Sequence, residues 1–427
     1  MKDFATSSSP DVQRQLDRLG ALSVPDGRLG LATIRALLAR LGDPHLRLPP
    51  AFHVAGTNGK GSTCAFLRAM LEADGKRVHV TTSPHLVRYN ERIRVAGELI
   101  SDARLAALLA EVLDAGEDLD PSFFEVTIAA AFLEFARVPA DACVIEVGLG
   151  GRFDATNVVD RPAACGIASL GIDHERFLLA PEAGTPAEPL SRIAFEKAGI
   201  VKPGRPLVTL AYPEGPRLEI ERAALAAGAP LTMRGDAWGA EVTESGLHYR
   251  DERGELALPF PALPGLHQAE NAALAVAMLR HQDFIAVSPG AIAEGIRKAH
   301  WPARLQRLAP GPLTGGREVW LDGGHNADAG AMLARHFAGR RVHLVIGMLA
   351  NKNPAALIRP MRDSLASVVA VPVPAHEHHP AATFGGGEAP DVPRALAALP
   401  ADGLPVLIAG SLYLAGEVLR LNGELPG

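Results

Sequence analysis

Phe52-His-Val-Ala-Gly-Thr-Asn-Gly-Lys-Gly-Ser-Thr63 reads as a buried strand, a glycine-rich turn and the first turn of a helix. Phe52 and Val54 supply the apolar strand. Gly56, Gly59 and Gly61 let the backbone bend and approach a ligand with no Cβ in the way. Lys60 brings a positive charge, and Ser62 or Thr63 a hydroxyl suited to a metal ion. A helix from Ser62 to about Ala73 would aim its first amides at the turn and make an anion site. The ligand such a loop takes is a nucleoside triphosphate with Mg²⁺. The strict G-x-x-x-x-G-K-[ST] pattern is not met: Val54 stands where its first glycine would be, and Gly61 separates Lys60 from the hydroxyl. The alternative, a tight turn with a solvated lysine, is disfavoured because strand, glycines, lysine, hydroxyls and helix arrive in order.

Outward from this loop, strands and helices alternate. A strand at 77–81 runs into Thr82-Ser-Pro-His85, and a short strand follows at 91–95. A helix at 102–115, with Ser101 placed to cap it, and a largely apolar helix at 121–136 lead to a buried strand at 141–147 that ends in Gly148-Leu-Gly-Gly151. Another strand, 163–170, precedes Asp173-His174. Upstream, 11–19 reads as a short helix, 26–30 as a turn, and Ile34, Leu37, Leu38 and Leu41 as a helix that Gly42 stops. Downstream come a Pro- and Gly-rich loop at 178–190, a helix opened by Ser191 and running to 198, a strand at 207–210, small antiparallel strands within 238–258, and helices at 266–280 and 292–299. His300-Trp-Pro-Ala303 breaks this pattern, and beyond it the rhythm restarts. Strands at 319–321, 342–346, 368–373 and 406–409 alternate with helices at 327–337, 354–365, 392–399 and 413–421. The expected fold is α/β: a P-loop, doubly wound, mostly parallel sheet domain in 1–299, and a smaller Rossmann-like α/β domain in 300–427.

A chain of 427 residues is long for one core, and 48% hydrophobic with 21% charged residues is an ordinary globular balance. Net charge is −6, from 42 basic against 48 acidic residues, which argues against a nucleic-acid surface. Cys64, Cys143 and Cys165 read as reduced, buried thiols. No signal region and no membrane-length apolar run stands out, so a cytoplasmic protein acting on small molecules is expected.

Doubly wound sheets bind ligands at the carboxyl ends of their strands. Four polar clusters fall there: the glycine loop, Thr82–His85, Glu146 and Asp173-His174. A carboxylate in an apolar strand needs a partner. For Glu146 that is a salt bridge to Arg152 or a metal ion held with Ser83 and His174; serine and glutamate oxygens suit Mg²⁺, while a lone histidine is more often a hydrogen-bonding residue.

The form Gly56-Thr-Asn-Gly-Lys-Gly-Ser62 resembles the ATP loop of the Mur-type amide ligases, and within them the folate branch, folylpolyglutamate synthase and dihydrofolate synthase. Thr82-Ser-Pro-His-Leu86 with Glu91-Arg-Ile93, Phe124-Glu125 with Thr127, and Glu146-Val-Gly-Leu-Gly-Gly-Arg-Phe-Asp-Ala-Thr-Asn157 carry the same resemblance. So do Gly171-Ile-Asp-His174, Ile193-Ala-Phe-Glu-Lys-Ala-Gly-Ile200, Gly265-Leu-His-Gln268 with Asn271, Trp301-Pro-Ala-Arg304, Asp322-Gly-Gly-His-Asn326 and Gly410-Ser-Leu-Tyr413. These blocks span nearly the whole chain in order.

The resemblance implies that Thr57, Asn58, Gly59, Lys60, Gly61 and Ser62 hold the ATP phosphates, and that Ser83, Glu146 and His174 hold Mg²⁺, two ions in all. It implies an N-carboxylated Lys197 as an anionic metal ligand; the plain alternative is a lysine at a helix C-terminus. Asn271, Arg304 and Asp322 would touch the adenine, phosphate and ribose side of ATP, so that ATP draws the two domains together. The pterin-bearing substrate would lie near Arg28, Leu29, Gly30, Phe124, Arg152, Phe153 and Asp154, with Phe124 stacking on the heterocycle or merely packing against Phe123. Asp322, His325 and Ser411 would lie near L-glutamate, or make local hydrogen bonds. A monomer is implied. Three features depart from the family pattern: the long 178–190 loop, which could disturb Lys197; Asn351-Lys-Asn353 where aspartates are expected; and the loop His376-Glu-His-His379, expected to be solvated.

The implied reaction is ATP-dependent amide ligation. ATP phosphorylates the pteroate or folate carboxylate, the glutamate amine attacks the acyl phosphate, and Lys60 with Mg²⁺ stabilises the transferring phosphoryl group. Domain closure would exclude water, and His325 is the candidate base. The bifunctional form, making dihydrofolate from dihydropteroate and extending the glutamate tail, is favoured by the Arg28–Gly30 turn. A monofunctional folylpolyglutamate synthase, a Mur-type cell-wall ligase and a P-loop ATPase without ligase chemistry are the rivals.

Overall fold

The computed structural model describes residues 6–22 and 30–427. They form two compact units: residues up to 84 with 89–262 and 266–300, and residues 85–88 with 263–265 and 301–427. The expected turn at 26–30, with Arg28 and Leu29, lies outside the described residues except for Gly30, which is exposed.

In the first unit, α1 (Pro10–Ala21) and α2 (Ala32–Arg40) precede β1 (Ala51–Ala55), α3 (Lys60–Ala73), β2 (Val78–Thr81), β3 (Ile93–Val95), β4 (Glu98–Leu99), α4 (Asp102–Gly116), α5 (Phe123–Arg137), β5 (Ala142–Glu146) and β6 (Ala164–Ile167). Then come α6 (Glu175–Leu178), α7 (Pro189–Ala198), β7 (Leu207–Thr209), α8 (Glu214–Ala226), β8 (Leu231–Met233), β9 (Trp238–Thr243), β10 (Gly246–Asp251), β11 (Gly254–Leu258), α9 (Leu266–Arg280) and α10 (Pro289–Lys298). The main sheet has the order β4-β3-β2-β5-β1-β6-β7-β8. Its six strands from β2 to β8 are parallel, and β3 and β4 are antiparallel additions at one edge. β1 is buried along its whole length between β5 and β6, as strands covered on both faces must be. One face packs on α1, α2, α4 and α5 through a core that includes Leu16, Leu37, Leu109 and Phe132. On α3 and α10 the helices meet where Gly295 lies on Met70. β9, β10 and β11 form a separate antiparallel sheet.

Three details differ from the sequence reading. α7 is opened by Glu188, not Ser191: its carboxylate accepts from the Leu190 and Ser191 amides at 2.9 and 2.6 Å. The 178–190 loop begins on the short helix α6. α8 and β8 have no counterpart in the periodicity, because α8 buries only Pro216, Ile220 and Ala224.

The second unit contains β12 (Gln306–Arg307), β13 (Val319–Leu321), α11 (Ala327–His336), β14 (Val342–Ile346), α12 (Pro354–Met361), β15 (Leu365–Ala370), β16 (Gly387–Glu388), α13 (Val392–Ala398), β17 (Val406–Ala409) and α14 (Leu412–Asn422). The sheet order is β12-β13-β17-β14-β15-β16, parallel except for β12. β15 starts earlier than periodicity suggests, because α12 contains Pro360 and gives way to a tight turn at 362–364. The unit has its own cores on both faces of the sheet.

Candidate functional site

The polar clusters read from the sequence terminate four adjacent parallel strands, β2, β5, β1 and β6. Register levels their ends: Val54 pairs with Glu146 and with Gly166, and Thr81 with Ile145. A pocket is lined from the segments after β1, β5 and β6 by Gly56, Thr57, Lys60, Gly148, Leu149, Gly150, Asp173 and His174, and from α6 and α7 by Leu178 and Lys197.

The glycine loop is tied down from two sides. The Thr57 amide donates to Ser169 O at 2.7 Å, and the Thr57 hydroxyl donates to Gly171 O at 2.9 Å. Gly59 has φ +84°, and a Cβ there would lie 2.3 Å from Asn271 Oδ1, so α9 rests directly on the turn. Asn271 is itself held by Gln268, whose Oε1 accepts from Asn271 Nδ2 at 3.0 Å; the sequence reading gave Gln268 no role of its own. Lys60 Nζ donates to Gly56 O at 3.0 Å, which folds the cation over its own loop. Ser62 and Thr63 are both buried in the first turn of α3, and Thr63 Oγ1 has no hydrogen-bond partner.

Glu146 is buried at the end of β5, and its Oε2 accepts from the Ser83 amide at 3.1 Å. Arg152, the partner expected in a purely structural reading, is engaged by Glu182 and Glu196 instead. His174 precedes α6 with φ +53°, and its amide donates to Asp173 Oδ1 at 2.8 Å. Lys197 stands in the last turn of α7, almost fully buried. Burial and the charge of Lys60 push its ammonium down to about 7, against the pull of Asp173, Asp154 and Glu196. A buried carboxylate and a buried unpartnered hydroxyl beside a phosphate-type loop are oxygen donors of the kind a divalent cation takes.

Phe124 packs behind the Gly148 turn. A capping box between Ser122 and Glu125 starts α5 and fixes this ring, which lies on Gly148, where a Cβ would come 2.5 Å from it. Phe123 turns away to meet Tyr89 edge-on at 5.6 Å. Asp154 is buried with both oxygens occupied: it accepts from the Leu149 amide at 2.7 Å and from Thr156 N at 3.0 Å. Direct contact between Asp154 and a substrate would cost these bonds; as built, it shapes the Gly148–Gly151 loop. The Arg152 guanidinium lies 4.1 Å from the Phe153 ring centroid.

No protein-family model matches the chain. A dihydrofolate synthase/folylpolyglutamate synthase of Bacillus subtilis is 38% identical to it over 346 residues, 76% of each chain. Escherichia coli FolC in complex with DHPP and ADP has the same fold, with a TM-score of 0.86 and 33% identity over 97% of this chain and 98% of that one. A bifunctional folylpolyglutamate synthase/dihydrofolate synthase with Mn, AMPPNP and L-glutamate bound matches with a TM-score of 0.83 and 31% identity over 98% and 99%. The chain belongs to the dihydrofolate synthase/folylpolyglutamate synthase family.

The second unit of this family member gathers its own polar cluster at neighbouring strand ends, since β13 and β17 pair directly. Asp322 is buried and accepts from the Leu305 and Gly324 amides at 2.8 and 2.7 Å; burial raises its pKa and Arg304 opposes that rise. Arg304 Nη1 donates to Ala303 O at 3.0 Å. His325 Nδ1 donates to Gly323 O at 3.2 Å. Ser411 caps α14, its Oγ accepting from Tyr413 N at 3.1 Å. Asn353, where an aspartate was expected, caps α12. In the histidine loop, His379 Nε2 donates to Lys352 O at 2.7 Å and His376 stacks on Tyr413. Among the described residues no group of three or more His, Cys, Asp or Glu side chains is placed to hold a metal.

Proposed function

We propose that the protein is an ATP-dependent ligase that joins L-glutamate to dihydropteroate, forming dihydrofolate, and to folates, extending the glutamate tail. What supports this reading is membership of this family, together with a pocket lined by Gly56, Thr57, Lys60, Asp173, His174 and Lys197 and, at the end of the adjoining strand β5, the Glu146 carboxylate bonded to the Ser83 amide.

Thr57, Asn58, Gly59, Lys60, Gly61 and Ser62 take the ATP phosphates, with Asn271 beside them. Ser83, Glu146 and His174 would hold Mg²⁺, in two ions with Lys197. When bound there, the cation neutralises charge on the phosphates and on the transferring phosphoryl group. Lys197 joins that set once its amine has added CO₂: the ammonium first loses one proton, the neutral amine then forms an N–C bond to CO₂ and a second proton leaves to solvent, so that a buried cation becomes an anionic carbamate. A pKa of about 7 supplies the neutral amine at working pH. Lys60 faces the phosphoryl group in flight, and positioning with electrostatics does most of the work. Phe124 offers a flat face to the pterin, with Gly30, Arg152 and Phe153 near the same substrate. The acyl phosphate so formed is attacked by the glutamate amine. Asp322, His325 and Ser411 take the glutamate, with His325 as the proton acceptor; Arg304 and Asp322 also belong to the ATP set. We place the enzyme in the cytoplasm as a monomer.

Phosphate release from the purified protein with ATP, Mg²⁺ and L-glutamate tests the reading, with dihydropteroate and tetrahydrofolate in separate wells. Release in both supports two activities. Release with tetrahydrofolate alone reduces the enzyme to a folylpolyglutamate synthase. Silence in both wells, from protein that binds ATP, removes the folate assignment.

A further inference from the structure

The 178–190 loop has no role in the reaction as derived, yet it is not loosely attached. Its Glu182 meets two arginines: both Arg152 Nη atoms, and Arg192 Nη2 at 3.0 Å. The same two arginines also hold Glu196, at 2.9 and 3.0 Å. The four charges form a square whose corners differ in depth. Side-chain exposure is 6% for Glu196 and for Arg192, 22% for Arg152 and 43% for Glu182. The inner carboxylate is therefore part of the packing, and removing it would strip two guanidiniums of their buried counter-charge. The outer one can leave to water at lower cost, because Arg152 and Arg192 each keep a contact to Glu196 and Arg152 is itself 22% exposed.

What Glu182 fastens is the wall of the pocket. Leu178, four residues back, is buried, lines the pocket and lies on Gly150, where a Cβ would come 2.9 Å from it. Its carbonyl accepts from Arg192 Nε at 3.1 Å. Arg152 carries the other side of the wall, the Gly148–Phe153 turn, whose backbone is pinned by Arg152 N donating to Glu196 O at 2.8 Å.

We propose that residues 178–190 are a strap across the pocket wall and that Glu182 is its releasable latch, a positioning residue that fixes the orientation of Arg152 and ties the strap beyond Leu178 to the Gly148–Phe153 turn. The inner Glu196–Arg192 pair is the anchor that stays closed when the latch opens. The consequence for turnover rests on the ligase reading above; the latch itself does not.

Hydrogen exchange on the ligand-free protein tests the latch directly, with Glu182→Gln as the variant. Amides of 178–188 are expected to exchange about tenfold faster or more in the variant, while those of α7 and β5 keep their wild-type rates. Unchanged exchange in 178–188 would overturn the proposal, and so would an equal rise in α7 and β5, which would make the loop inseparable from the core. Glu196→Gln serves as the contrast and is expected to lower the melting midpoint by about 5 °C or more, where Glu182→Gln moves it by about 1 °C or less. Equal shifts would remove the distinction between anchor and latch. In turnover, Glu182→Gln is expected to raise KM for the pteroyl substrate about threefold or more with kcat within about twofold. Faster exchange with both constants unchanged would leave a mobile loop but refute its positioning role. Absence of turnover in wild type and variant alike would count against the ligase reading while the exchange data still judged the strap.

Discussion

His53 lies in the middle of β1 with no exposed surface. The Thr156 hydroxyl has one proton and donates it to Asp154, so it accepts from His53 Nε2–H at 2.8 Å. Nδ1 is then a bare acceptor, and it is buried without a partner. Burial, with Lys202 nearby, holds this imidazole's pKa down to about 3. An unfolded histidine titrates near 6.5. Between the two values the unfolded chain binds a proton that the folded chain refuses, so this stability is complete above about 6.5 and is lost as pH falls toward 3. One such proton gives a slope of about 1.4 kcal/mol per pH unit. Urea unfolding at pH 7, 6 and 5 should show a shallower fall in His53→Gln, which keeps a donor for Thr156 but does not titrate; an identical slope would remove His53 from the account. Lys197 makes a second prediction at this scale. Lys197→Met keeps an apolar stem without the amine and is expected to cut kcat at least about 100-fold. In carbonate-free buffer the wild type should lose activity and regain it with bicarbonate. Indifference to bicarbonate would leave Lys197 a plain cation.

The loop-and-helix element from Gly56 to Ala73 shows how one glycine couples two distant stretches. Gly59 stands in the left-handed region and under Asn271 at once, so Gly59→Ala meets both backbone strain and a clash at 2.3 Å. Either the Asn271 side chain is displaced from Gln268 or the turn opens, and both disturb the phosphate site. Nucleotide affinity is expected to fall about tenfold or more, with about 1–2 kcal/mol of stability lost; calorimetric titration with ATP checks the first and urea unfolding the second. Elements of this kind were legible because local chemistry decides them: glycines before Lys60, Ser101 as a cap, the apolar strand ending on Glu146. What stayed hidden depends on partners far along the chain. Nothing near Glu182 marks it as the mate of Arg152, 30 residues away. The cap of α7 was misplaced onto Ser191 because Glu188 is not a usual capping residue, although its longer carboxylate reaches the same amides. α8 escaped because a helix that buries one narrow stripe against small residues leaves little hydrophobic period to read.

At the scale of the whole molecule, the two α/β units were legible from the rhythm of strands and helices, and the order of the central strands explains why polar clusters tens of residues apart in sequence end side by side. Each unit owns a hydrophobic core built from its own sheet and helices. That has a consequence for metal dependence. A structural metal contributes directly to folding, and its removal unfolds the domain around it. The proposed ligands Ser83, Glu146, His174 and Lys197 lie outside those cores, and Mg²⁺ bound through one or two carboxylates takes water and nucleotide phosphates for the rest of its shell. EDTA is therefore expected to stop phosphate release completely and reversibly, with Mg²⁺ restoring it, while the melting midpoint of the nucleotide-free protein moves by about 1 °C or less. With ATP at about 100 times its Kd, Mg²⁺ should add about 2.7 kcal/mol of stability that EDTA abolishes. A large midpoint loss on EDTA treatment without nucleotide would mean that a metal ion supports the fold itself, and the cation would then have to be placed in the core rather than beside the phosphates.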